Sequence, residues 1–156
     1  MDDAISRKLA EIEWRWGDKD AAALAILEDR IGDAGSQPSR ITINYSELVR
    51  GINFTVPTLH GGKPYEIDVD HWTELDRALI GDFLGVVSAR SYERAKFMAS
   101  ALVVLKDERK PSWHFFQWME MLGVLPNLDD DTVLAFWIEQ VNKAHEWFKV
   151  HYRVLE

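Results

Sequence analysis

Apolar residues at steps of three and four recur in segment after segment of this chain. That period seats a residue on one face of a helix and would scatter it over both faces of a strand. Ile5, Leu9, Ile12 and Trp16 form the first such stripe, behind Asp2 and Asp3 as capping candidates. A second stripe, Leu24, Leu27 and Ile31, ends at Gly32, a residue type that commonly terminates helices. The following "DAGSQPS" has loop composition, so residues 1–38 are expected to form an N-terminal helical arm and residues 39–156 the α+β domain, one globular unit overall.

Within the second part, "ITI" (41–43) is a short β-type run. Asn44 and Glu47 have capping-box spacing ahead of a short helix with Tyr45, Leu48 and Ile52 inward. "VPTLHGGKPYEIDV" is a turn-rich connector with a brief strand expected at 65–69. Asp70 is the expected cap of a helix with Trp72, Leu75, Leu79, Phe83 and Val86 inward, ending at about Val87 or a little beyond. Leu102 to Leu105 are apolar without alternation, as in a strand covered on both faces. The last stripe, Leu134, Trp137, Val141, Ala144 and Phe148, follows a run of acids suited to a helix start. The expected class is helix-rich α+β with a small sheet.

Charge and composition narrow the function classes. The chain has 156 residues, a formal net charge of −8 and no cysteine. Disulfides, thiolate metal sites and thiol nucleophiles are therefore excluded. No apolar stretch of membrane-spanning length occurs, and the first twenty residues lack the apolar centre of a secretory signal, so a cytoplasmic protein is expected. Net acidity disfavours binding by phosphate neutralisation. One segment runs the other way: residues 90–110 hold Arg90, Arg94, Lys96, Lys106, Arg109 and Lys110 against three acids, and are the nucleic-acid candidates.

Candidate chemistry is sparse. No pair among His60, His71, His114, His145 and His151 has the helical four-residue spacing and adjacent glutamate of a zinc protease motif. Asp68, Asp70 and His71 are a mixed hard-ligand cluster, but Asp70 serves better as a cap, and neither metal nor cofactor is expected. "LHGGKP" lacks the spacing and hydroxyl of a phosphate loop, and Ser88 lacks a nucleophile-elbow context. No catalytic residue is assigned.

The stretch "KPSWHFFQWMEML" (110–122) is the densest aromatic feature. A helix starting near Ser112 puts Phe115, Trp118, Met119 and Leu122 on its inward face. Trp113, His114 and Phe116 are not needed by that stripe. Aromatics beyond a core stripe mark a partner surface or form a second packing layer; on the first reading, Phe136 and Trp147, eleven residues apart on one face of the last helix, extend the candidate patch.

The order of "INYSELV" (43–49), "LGVVSARSYE" (84–93), "FMASALVV" (97–104), "PSWHFFQWMEMLG" (111–123) and "FWIEQVNKAHEWF" (136–148) resembles an uncharacterised family of small standalone bacterial proteins. Its pattern runs "itYgeLa", "LgeIs", "alVV", "P..GFF" and "fW". Trp113-His114 stand where that pattern has glycine before the Phe pair. The first motif also looks like the opening of winged-helix domains, which implies a winged-helix-like core but no activity. The expected function is a non-enzymatic protein-interaction module, acting on a protein partner or by self-association. The alternatives are a winged-helix nucleic-acid-binding protein, and an acidic inhibitor or immunity factor that blocks a basic toxin or nuclease surface.

Overall fold

The computed structural model describes residues 3–151. Helix α1 (Ala4–Glu11) is capped by Asp3, whose carboxylate accepts from the Ser6 N–H at 2.6 Å. It ends before Trp16, which the sequence stripe assigned to the same helix. Trp16 is still buried, because the loop that carries it is tied to α4 (Glu74–Ala95). The Asp82 carboxylate of α4 accepts from the Trp16 and Gly17 N–H groups at 2.7 and 2.6 Å. Gly17 permits that approach, since a Cβ there would lie 2.7 Å from the Asp82 carbonyl oxygen.

Helix α2 (Ala21–Ser36) runs through Gly32, where the sequence placed its end. The correction has a packing cause. A Cβ on Gly35 would stand 2.7 Å from the Phe148 ring and 2.8 Å from Leu102, so the glycine face admits close helix contact rather than a turn. Helix α2 packs on the rest of the chain: Leu27 and Ile31 share one core with Phe83 of α4, Leu102, and Ala144 and Phe148 of α6 (Asp130–His151).

Strands β1 (Ile43–Asn44) and β2 (Val103–Val104) pair in parallel, Ile43 opposite Val103 and Asn44 opposite Val104. Both β2 residues are buried, as their apolar run implied. Between them, α3 (Tyr45–Val49) begins with the Asn44–Glu47 capping box. The strand expected at 65–69 reduces to a single antiparallel bridge between Phe54 and Tyr65.

Asp70 does not cap α4. Thr73 does, through a reciprocal box with buried Asp76 (2.9 and 3.1 Å), while the Asp70 N–H donates to Asp68 at 3.0 Å. Tyr65 donates its hydroxyl hydrogen to the same Asp76 carboxylate. Leu75 is exposed, and the helix continues well past Val87 to Ala95. Its extra turns carry Ser88 and Ser91, which hold the 97–100 segment: Ser88 Oγ lies 2.6 Å from Ser100 Oγ, and Ser91 Oγ donates to the Phe97 carbonyl at 2.7 Å.

Helix α5 (Trp113–Leu122) follows Ser112 as expected and ends at Gly123 in the left-handed region, φ 92°. It packs with Leu9 and Met98 in a second apolar cluster. On α6, Ala144 and Phe148 are buried, Trp137 and Val141 half-buried, and Leu134 exposed although it belongs to the predicted stripe. Gln140 takes an inward place instead, accepting from the Met98 N–H at 2.8 Å.

Candidate functional site: an aromatic cleft

Residues at the end of each strand and just beyond it, Asn44 to Ser46 at β1 and Leu105 to Lys106 after β2, open onto a cleft of about 810 Å³. Helix α4 contributes Arg77, Gly81, Asp82 and Gly85 to it, and α5 contributes His114, Phe115 and Trp118. Trp14 and Trp72 complete its aromatic lining from the loops ahead of α2 and α4.

The walls are organised by two edge-to-face pairs. Trp14 meets Trp118 at 6.4 Å between ring centroids and 78°, and Tyr45 meets Trp72 at 6.5 Å and 84°. The Trp14 indole rests on the bare backbone at Gly85, where a Cβ would come within 2.5 Å of the ring. One turn earlier Gly81 is the opposite case: a Cβ there meets nothing within 4 Å. An interior helix glycine is worth roughly 1 kcal/mol less than alanine. At Gly85 that cost seats an indole; at Gly81 it leaves the cleft open.

The polar groups of the lining differ in how far they are committed. Asp82 is bound to the 16–17 backbone. Ser100 is bonded to Ser88, its N–H donating to Ser88 Oγ at 3.0 Å. Burial pushes the Tyr45 phenol up, against hydrogen bonds with Ser112 that pull it down. Among the described residues, the side chains of Arg77, Lys106 and His114 have neither an ion-pair nor a hydrogen-bond partner.

Of the five residues expected in a partner patch, His114 lines the cleft. Trp113 is 49% exposed but outside it. Phe116 is 2% exposed, which corrects its place on an open surface. It packs at 5.2 Å against Phe115, and Trp113 covers it at 6.3 Å, so α5 buries a wider arc than its stripe requires. Phe136 leans on Phe115 at 6.4 Å. Trp147 stands apart from these, tilted against Phe97 at 5.8 Å, stacked on His151 at 4.3 Å and under the Arg94 guanidinium at 5.6 Å. The structure therefore joins Trp113, Phe116 and Phe136 through Phe115 and leaves Trp147 with the main core.

The basic segment is divided as well. Arg90 pairs with Glu28 at 2.8 Å, and Lys96 pairs with Asp3 at 3.3 Å and lies over the Tyr92 ring. Lys106, Arg109 and Lys110 are exposed on the turn after β2, which is closed by the Leu105 N–H donating to the Lys110 carbonyl at 2.8 Å. Asp68 and His71 form an exposed pair at 3.1 Å, and among the described residues no group of three metal-ligating side chains is assembled. His60 stacks on Tyr65 at 4.5 Å.

The cleft was missed because its walls come from segments far apart in sequence. The local signals were Gly81 and Gly85, two glycines inside a strong helical stripe. No family model matches the chain, and no curated protein or solved structure matches it either. Among the described residues no helix is long and apolar enough to cross a membrane.

Proposed function

We propose that this chain is a non-enzymatic interaction module that takes a protein partner in the aromatic cleft. The carrying observation is a cleft of about 810 Å³ walled by Trp14, Tyr45, Trp72, Phe115 and Trp118 around an unfilled Gly81. Concave apolar sites of that size with few polar groups are the usual form of a binding site, and aromatic anchors dominate interface energies. Support for a role without chemistry comes from the commitments of Asp82 and Ser100.

The test is capture of a partner from the source cell by wild type, Gly81→Leu and Trp113→Ala. Loss with Gly81→Leu and retention with Trp113→Ala supports the cleft. The reverse result moves the site to the Trp113 surface.

Two other readings have supporting observations. Self-association is favoured by Leu134 and Ile138, 52% and 49% exposed, one turn apart on α6. A concentration-independent monomer in sedimentation removes it. Nucleic-acid binding through a winged-helix-like core is favoured by short α3 ahead of long α4 and by Lys106, Arg109 and Lys110 on one turn. The engagement of Arg90, Arg94 and Lys96 within the chain weighs against it. Absence of any duplex or single-strand shift at about 50 mM salt, where phosphate contacts are strong, removes that reading.

A further inference from the structure

We infer that the occupant of the cleft is an extended acidic segment of a protein partner: an apolar or aromatic side chain held between the indoles, with a neighbouring carboxylate met by Arg77 and Lys106. This rests on the cleft being the binding site and adds the chemistry of what it binds.

Length is the first argument. Along α4 the lining runs from Arg77 to Gly85. At 1.5 Å per residue that is roughly 12 Å, the reach of about three to four residues of extended chain. A single anchoring side chain would leave much of the cleft unfilled.

Charge is the second. The whole chain carries −8, with 26 acids against 18 bases. Its cleft reverses that sign. The formally charged lining residues are Arg77, Lys106 and Asp82, with His114 beside them. Asp82 already accepts from the Trp16 and Gly17 N–H groups at 2.7 and 2.6 Å, so its charge is answered from within the fold. Arg77 and Lys106 have no carboxylate partner among the described residues, although this acidic chain pairs Arg40, Arg90 and Lys96 with acids elsewhere.

A ligand settling into the cleft strips water from those two cations. A neutral ligand returns nothing for that loss, and a basic one adds repulsion. A carboxylate returns a charge-assisted hydrogen bond, two of them where it meets the guanidinium fork. The aromatic walls select the apolar anchor, and the cations select its neighbour.

The test pans a displayed library of random short peptides against wild type, Gly81→Leu, and the double variant Arg77→Ala/Lys106→Ala. Circular dichroism confirms that each variant folds. The tightest wild-type peptide is then resynthesised with each Asp or Glu changed to Asn or Gln, and binding is read by fluorescence anisotropy. The expected result is enrichment of an aromatic or large apolar residue beside Asp or Glu, with binding abolished by Gly81→Leu. Amidation of the key acid should weaken binding by about tenfold or more, the scale of one charge-assisted hydrogen bond. The double variant should no longer distinguish acid from amide. Peptides that need an open Gly81 but show no acidic preference overturn this inference and leave the cleft reading standing. Peptides indifferent to Gly81→Leu overturn both. A wild-type selection that enriches nothing overturns the peptide occupant, and a small molecule then takes its place as the ligand to seek.

Discussion

Gly81 and Gly85 lie one turn apart on α4, and the same substitution at the two positions should have opposite signs. Alanine in place of an interior helix glycine gains roughly 0.5–1 kcal/mol, from helix propensity and a less flexible unfolded chain. At Gly81 nothing lies within 4 Å of the new methyl group, so the gain is kept. For a chain of this size that raises the melting temperature by about 2–4 °C per kcal/mol. At Gly85 the methyl meets the Trp14 ring at 2.5 Å. Overpacking of that kind costs about 1–3 kcal/mol, which cancels the gain or exceeds it by up to roughly 2.5 kcal/mol. The indole must also shift, carrying its edge contact with Trp118 along with it. Thermal unfolding followed by far-ultraviolet circular dichroism measures both variants without relying on tryptophan emission. Gly81→Ala destabilising the fold by about 1 kcal/mol or more would mean that the floor of the cleft is filled. Equal stabilisation by both substitutions would mean that Trp14 does not rest on Gly85.

Other consequences follow from single contacts. Asp82→Ala leaves the Trp16 and Gly17 N–H groups without their acceptor, and should cost about 2–4 kcal/mol in chemical denaturation; a loss under about 0.5 kcal/mol would show that water replaces the carboxylate fully. Gly35→Ala forces a methyl to 2.7 Å from Phe148 and 2.8 Å from Leu102, so it should lower the melting temperature despite its better helix propensity, and a rise would contradict the close α2–α6 contact. The Tyr65 phenol is pushed up to about 12, first by its hydrogen bond to Asp76 and then by burial. A folded-state pKa raised above the unfolded value of about 10 gives stability that is complete below pH 10 and lost as pH rises through about 12. Tyrosinate absorbance should therefore lose one late alkaline step in Tyr65→Phe, and an unchanged titration would contradict the assignment.

Local rules carried the sequence reading furthest. The Asn44–Glu47 box needs only residues three apart, and the Phe115, Met119 and Leu122 stripe needs only helical spacing; both stand in the structure. Rules that depend on what lies across the interface did worse. Gly32 looked like a stop because the contacts made by the neighbouring Gly35 come from residues 102 and 148. Asp70 looked like a cap because nothing local shows that Asp76 is buried and closes a box with Thr73. Helical spacing on α5 puts Trp118 on the inward face and leaves Trp113 outside it; Trp113 is indeed exposed, but Trp118 is only half-buried and lines the cleft, which spacing alone does not reveal. The cleft depends on six separated stretches of chain, around residues 14, 45, 72, 81, 105 and 115, and no period within any of them announces it.

The seven tryptophans supply the most direct test of the cleft. Trp14, Trp72 and Trp118 line it, while Trp16, Trp113, Trp137 and Trp147 do not. In a nitrogen–proton correlation spectrum each indole N–H gives its own signal, assignable by single Trp→Phe substitutions. Titration with the tightest acidic peptide from the library should move the signals of Trp14, Trp72 and Trp118 and leave Trp113 and Trp147 in place. Movement of Trp113 or Trp147 with the three cleft indoles unchanged would contradict the account and return the partner surface to the outer aromatics.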